Sequence, residues 1–380
     1  MRAPQLPLRQ RRILNYRFSN SIMSKVVYLF GAGASYGIRD DEEPKINFSL
    51  DYQDYYAGRK KVQGVCPNIV EGLPIVSELP DRMNYILYRV RKEMHELVLE
   101  THPSSQIFEG LAEDLEWLQS FSKGHSTVDT FAKKLWLTHR TEDYSRLKRT
   151  LCAYFMLEQL FNRVDKRYDA FLASILGNDV DDFPDELSIL SWNYDSQFEL
   201  AYAQYLNHNS LTDIENRLHF YNKTVGNSLY NDGKGFSIIK LNGSAYMYDI
   251  GLKTPIDPFF CRQGMREISY VATVSRGASN TRCALSFAWD EPEEWFTTRI
   301  KKSVDGASVL VVIGYSFPFF NRRIDRMIFE SMPMLKRIYV QDTKPDGVVE
   351  SINNFYKSDA LKPQIIPVRN TQQFYLPPEL

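Results

Sequence analysis

The sequence predicts an α/β protein built on a doubly wound parallel sheet, with a helical module inserted into it. Three observations carry this. A nearly all-apolar run, Lys25-Val-Val-Tyr-Leu-Phe30, ends in Gly31-Ala-Gly-Ala-Ser35, which reads as a buried strand feeding a tight turn. Short apolar runs recur after Pro184, at Leu187–Trp192, Phe236–Leu241, Val309–Ile313 and Arg337–Gln341. Between the first run and these, residues 79–182 place apolar side chains three and four positions apart with charges between them, the period of amphipathic helices. Strands buried on both faces and separated by helices pair in parallel.

Residues 1–24 hold Arg2, Arg9, Arg11, Arg12 and Arg17, with no acid among the first 23. They read as a disordered basic extension, with Met23 as a candidate original start; a transit peptide is the alternative. Residues 25–380 read as one domain. The first strand and its small-residue turn open it in the manner of a Rossmann-like fold. From Arg39 to about Gly64 the chain is polar and tyrosine-rich without a clear period, and is expected to be a loop or lid. Helices are expected over Leu79–Val98, Ile107–Phe121, Val128–Leu137 and Tyr144–Val164, then over Ser196–Leu206 and Asn321–Leu335 among the later strands.

Composition narrows the function. Of 380 residues, 46 are Lys or Arg and 47 Asp or Glu, a net charge of −1, so no global basic field attracts nucleic acid or anionic lipid. The longest aliphatic run, Val309–Ile313, is far short of the ~18 residues of a membrane span. Cys66, Cys152, Cys261 and Cys283 form no CxxC pair and the six histidines show no HExxH spacing, so neither metal nor disulfide framework is expected and a reducing, cytoplasmic setting is. No compact acidic cluster has the spacing of a nuclease metal site. Aromatic residues make up 13%, ample for an interface, and a homo-oligomer is expected.

In a doubly wound sheet the ligand lies at the carboxyl ends of the strands, so the residues after each apolar run are the candidates. After the first come Gly31, Ala32, Gly33, Ala34 and Ser35, small enough for backbone N–H groups to approach a pyrophosphate, with the next helix expected to aim its positive end there. After the second comes Ser191-Trp-Asn-Tyr-Asp195. Asn193 offers donor and acceptor and Asp195 a carboxylate near a bound ribose, although the pair also suits a helix cap. After the third comes Asn242-Gly-Ser244; after the fourth, Gly314-Tyr-Ser316, with Asp325 further on; after the fifth, Asp342, a strand-end acid able to accept from ribose hydroxyls.

Taken together these segments resemble the sirtuin-like domains of bacterial anti-phage defence systems. The matching stretches are FGAGASYG (Phe30–Gly37), LPIVSEL (Leu73–Leu79), STVDTFAKKL (Ser126–Leu135), LSWNYDSQFELAY (Leu190–Tyr202), IKLNGS (Ile239–Ser244) and VIGYSFPFFNRRIDRMIF (Val312–Phe329), spread over about residues 25 to 345. The resemblance implies NAD as substrate or ligand, cleaved to ADP-ribose and nicotinamide. It implies a pyrophosphate cradle at Gly31–Ser35, Asn193 beside the nicotinamide ribose, and Gly314 and Ser316 along the adenosine half. It also implies assembly with a HerA-type ATPase, nucleic acid being met only through that partner. Sirtuin deacetylases carry a four-cysteine zinc module, which is lacking here, so deacetylation is disfavoured. The family's catalytic histidine stands before the glycine of an HG pair, and here that position is Asn242, an amide that cannot act as a general base near neutral pH. Asp195 is the candidate carboxylate, and His125 the remaining candidate imidazole or a helix cap. The alternative is a module that binds NAD or ADP-ribose without turnover and scaffolds a partner ATPase or nuclease.

Overall fold

Val26, Tyr28 and Phe30 face one side of the first strand, Val27 and Leu29 the other, and all five are at most 2% exposed. Such a strand needs neighbours at both edges and a layer on each face, and the computed structural model supplies them. It describes residues 24–380 except 38–44, 55–57, 76–77, 99–104, 123, 126, 207–209, 226–234, 253, 257–258, 260–266, 277–280 and 357–361. The basic stretch through residue 23 lies outside the described residues.

In chain order the described strands are β1 (Lys25–Phe30), β2 (Lys45–Asp54), β3 (Gly58–Pro67), β4 (Leu187–Ser191), β5 (Phe220–Asn222), β6 (Ser237–Lys240), β7 (Gly243–Asp249), β8 (Thr254–Ile256), β9 (Thr281–Leu285), β10 (Ala307–Ile313), β11 (Arg337–Gln341) and β12 (Gln364–Val368). Seven form one sheet in the order β12-β11-β10-β1-β4-β6-β5, every neighbouring pair parallel. From β1 the chain builds outward through β4 and β6, then returns to build β10, β11 and β12 on the other side. The order therefore reverses between β1 and β10, the place along a doubly wound sheet where ligands bind.

Both faces of the sheet are covered. Tyr28 and Phe30 pack on Phe171 of the helix Lys166–Ile175, with ring centroids 5.0 and 6.3 Å away. Val27 and Leu29 share a core with Phe296 and Ile300 of Glu294–Val304, Ile328 of Arg322–Glu330 and Ile352 of Pro345–Asn353. The fold is thus Rossmann-like, with helical insertions.

The helices Leu79–Val98, Ser105–Ser122, Val128–Leu137 and Thr141–Phe161 stand between β1 and β4 in the chain. Their inward residues, among them Met83, Leu115, Phe131 and Leu151, share a core with Met247 of β7, Leu285 of β9 and Val271 of the helix Glu267–Arg276. Thr127 starts Val128–Leu137 by accepting the Thr130 N–H on its hydroxyl (3.1 Å). A further helix, Lys166–Ile175, lies within the expected insertion of residues 79–182 but belongs to the cover of the main sheet.

The expected loop over residues 39–64 is corrected. Its described part is an antiparallel hairpin of β2 and β3, with Phe48 packed on Tyr85 and Tyr88 of the helix beneath. Lys, Arg and Gln at alternate positions of β3 leave it without an apolar signal. β7, β8 and β9 form a second antiparallel sheet, ordered β8-β7-β9. No described helix is long and apolar enough to cross a membrane.

Candidate functional site

Beyond Phe30 the chain makes a single 3-10 turn, Ala32–Ala34, closed by hydrogen bonds from Ala34 N–H to Gly31 O (2.9 Å) and from Ser35 N–H to Ala32 O (3.1 Å). The helix expected behind this turn is absent from the described residues, whose next elements are β2 and β3.

The glycines answer to a second loop. Gly31 N–H donates to Ile313 O and Gly33 N–H to Gly314 O, both at 3.0 Å. A Cβ on Gly31 would lie 2.6 Å from Tyr315 Cα, and one on Gly33 2.7 Å from Gly314 Cα. Gly314 itself has φ of +58°, which also favours glycine. Four of the five N–H groups from Gly31 to Ser35 are thus bonded within the protein, and Ala32 is the exposed residue of the turn.

Asn193, 7% exposed at the end of β4, donates from Nδ2 to Gly31 O (2.8 Å) and to Ser35 Oγ (3.1 Å). Both of its N–H bonds are spent on holding the turn. Arg167 holds the turn's other side, donating to Gly33 O (3.1 Å) and Ala34 O (3.2 Å) while paired with Asp165 (2.6 Å).

Beside this clamped turn, over the ends of β1, β10 and β11, is a cavity of about 320 Å³ lined by Gly33, Tyr36, Arg167, Gly314, Asp342 and Gln372 among others. Gly33, Gly314 and Asp342 of the expected set therefore share one cavity. Gly31, Ala34 and Ser35 are buried behind it, and Ser316 is exposed without lining it.

Two expected contacts are reassigned. Asp325 is 1% exposed, and its carboxylate accepts from Trp192 Nε1 (3.1 Å) and Tyr315 OH (2.8 Å). Burial pushes its carboxyl up to about 8. It is a buried strut beneath the crevice, with no free oxygen for a ribose. Asp195 accepts the Gln197 N–H (3.0 Å), a local bond just ahead of the helix Gln197–Ala203, whose N-cap is Ser196. His125 faces the Phe121 carbonyl through Nδ1 (3.1 Å), at the end of its helix.

Asn242 lies elsewhere along the strand ends, 6% exposed. Its Nδ2 reaches Tyr194 OH at 3.5 Å, its main-chain oxygen accepts the Ser286 N–H at 2.8 Å, and its Oδ1 is buried with no partner among the described residues. The Ser286 hydroxyl, equally buried, is unpartnered too. Next along, Lys223 donates to Phe287 O (2.7 Å), and burial lowers its ammonium to about 8. Asp290 accepts from Tyr144 (2.7 Å), Lys148 (2.6 Å) and Phe287 N–H (2.9 Å). Burial alone would raise its carboxyl, but Lys148 and these hydrogen bonds outweigh it and hold it below the usual range. Asp129, from the helical insertion, is pushed up by burial, and Tyr194 feels its charge.

Sequence reasoning missed Lys223, Ser286, Asp129 and Arg167. Lys223 follows a strand of three residues, too short to show a period, and Arg167 sits at a helix start where an arginine reads as solvated. Among the described residues no group of three or more His, Cys, Asp or Glu side chains could hold a metal ion. No family model, curated protein or solved structure matches this chain.

Proposed function

We propose that the chain is a sirtuin-like NAD glycohydrolase of bacterial anti-phage defence, cleaving NAD to ADP-ribose and nicotinamide within an oligomer and beside a HerA-type ATPase. The observation that carries this reading is the cavity at the reversal of strand order, walled by Gly33 and Gly314 and edged by Asp342. On this reading the adenosine half enters the cavity and Asp342 accepts from its ribose. The pyrophosphate crosses the exposed Ala32, and the nicotinamide ribose runs toward Asn193 and Asn242. Asn193 acts by fixing the turn, because its two N–H bonds are already committed. That commitment, with an amide at Asn242, favours the second reading, a module that binds NAD or ADP-ribose and scaffolds its partner. Purified protein incubated with NAD, alone and with the ATPase, separates the two. Nicotinamide release supports the hydrolase, and binding without release under both conditions supports the module.

A further inference from the structure

Lys223 follows the edge strand β5 at its carboxyl end, 7% exposed, and forms no ion pair among the described residues. Its Nζ makes one hydrogen bond, to Phe287 O, so an ammonium there has donors left over. The neighbouring residue of that carbonyl, Ser286, is bonded through its N–H to Asn242 O. The short stretch that leaves β9 thus ties Lys223 to the Asn242 position, and two buried oxygens without a hydrogen-bond partner among the described residues, Asn242 Oδ1 and Ser286 Oγ, lie on that link.

The charges around Lys223 cancel. Lys148, on the helix Thr141–Phe161, is paired with Asp290, and Arg323, on Arg322–Glu330, is paired with Glu291, each at 2.6 Å. Two acids and two bases face the amine and each acid is already taken by one of the bases. Burial is left as the dominant influence, and it favours the neutral amine. Proton uptake near neutral pH is the capacity that an amide at Asn242 lacks.

The geometry points to Lys223 as the general base of the nucleotide hydrolysis, carrying from the neighbouring strand end the proton that Asn242 cannot. This rests on the hydrolase reading above. In the step, the oxygen of water bonds to C1′ of the nicotinamide ribose, and the bond from C1′ to the pyridinium nitrogen breaks with its electron pair leaving on nicotinamide. The water proton passes to Lys223 Nζ and from there to solvent, so NAD and water give ADP-ribose, nicotinamide and one proton.

The test compares the full-length protein with Lys223→Met and Lys223→Arg, with the ATPase present if release requires it. NAD binding is read by calorimetry, nicotinamide release from pH 6.5 to 9.5, and the amine's own titration by NMR on protein with isotope-labelled lysine. The expected result is wild-type turnover that rises with pH with its midpoint near 8. Both variants should keep NAD affinity and lose turnover by roughly 10²-fold or more, the scale of a general base, with the pH step gone. Arginine keeps the charge but stays protonated, so a purely electrostatic or structural role would survive Lys223→Arg. Wild-type release with either variant equally fast and equally pH-dependent, or an amine that titrates above 10, overturns the base and leaves the hydrolase reading standing. Binding without release in wild type overturns both.

Discussion

Gly33 and Gly314 meet backbone to backbone: the N–H of Gly33 donates to the carbonyl of Gly314 at 3.0 Å, and a Cβ on Gly314 would lie 2.4 Å from Gly33 Cα. Two loops from adjacent strands are interlocked at the point where the strand order reverses. The small residues are therefore demanded first by protein-to-protein contact, and the cavity wall is a consequence of it.

This separates two kinds of substitution in the same turn. Gly33→Ala or Gly314→Ala forces the loops apart and should cost about 1–3 kcal/mol, the scale of overpacking and backbone strain, with nucleotide affinity falling alongside. Ala32→Trp, on the exposed residue, should leave the melting temperature nearly unchanged and still abolish NAD binding by covering the crossing point. Thermal melts beside calorimetry decide it. Undiminished NAD affinity in stable Ala32→Trp would remove the ligand from this turn.

Asp325 gives a prediction about pH. Its carboxyl titrates at about 8 in the folded chain, against about 3.9 when unfolded. The folded state therefore holds a proton that the unfolded state has released, and between those values stability from this group falls as pH rises. It is fully present below about pH 4 and lost through pH 8. Asp325→Asn keeps the shape and stays neutral, accepting from Trp192 and facing Tyr315 with its amide. Melting temperatures measured across that window should decline less steeply in the variant than in wild type; parallel curves would mean that Asp325 is ionised in the fold.

How much of this was legible depends on where the burial falls. β1, β4, β6, β10 and β11 have interior faces on both sides, so Val, Ile and Leu fill them and the runs stand out. Edge and surface strands escape. β12 includes Pro367 and is exposed or half-buried along its whole length, as an outermost strand can be, and β3 carries Arg59, Lys60, Lys61 and Gln63 on a hairpin that packs by Phe48 and Tyr52 of its partner. The candidate residues were visible as strand-end residues, but their partners were not. Nothing in the spacing of Asn193 and Ser35, 158 positions apart, tells that one donates to the other, nor that Trp192 and Tyr315 would take both oxygens of Asp325.

Asn193→Ala tests the clamp. The change removes two hydrogen bonds, leaving Gly31 O with only the Ala34 N–H and Ser35 Oγ with only the Tyr168 hydroxyl, at a cost of about 1–3 kcal/mol for the two bonds together. If Asn193 positions the turn, NAD affinity and turnover should fall together, turnover by roughly 10²-fold. Asn193→Asp, which keeps the shape but cannot donate from Oδ2, should do no better. Full activity in Asn193→Ala at a temperature where the variant is folded would place the reacting centre elsewhere.

Asn242→His restores the residue usual at this position in the family the sequence resembles. An imidazole here meets Tyr194 OH, now 3.5 Å from Asn242 Nδ2, which would engage one ring nitrogen and leave the other to take up a proton. The pocket is closed, so the larger ring must displace neighbours, and a melting curve establishes first that the variant folds. Turnover should then equal or exceed that of wild type, and its pH midpoint should fall from near 8 toward the ordinary histidine value of about 6.5, because a second and more acidic base has joined Lys223. The midpoint is the decisive quantity, since a rate change alone could come from repacking. A wild type that releases no nicotinamide with or without its partner, beside an Asn242→His protein that does, would identify a binding module that has lost its base. A folded variant that binds NAD and turns it over more slowly than wild type, with the midpoint still near 8, would mean that the base never acts from the end of β6.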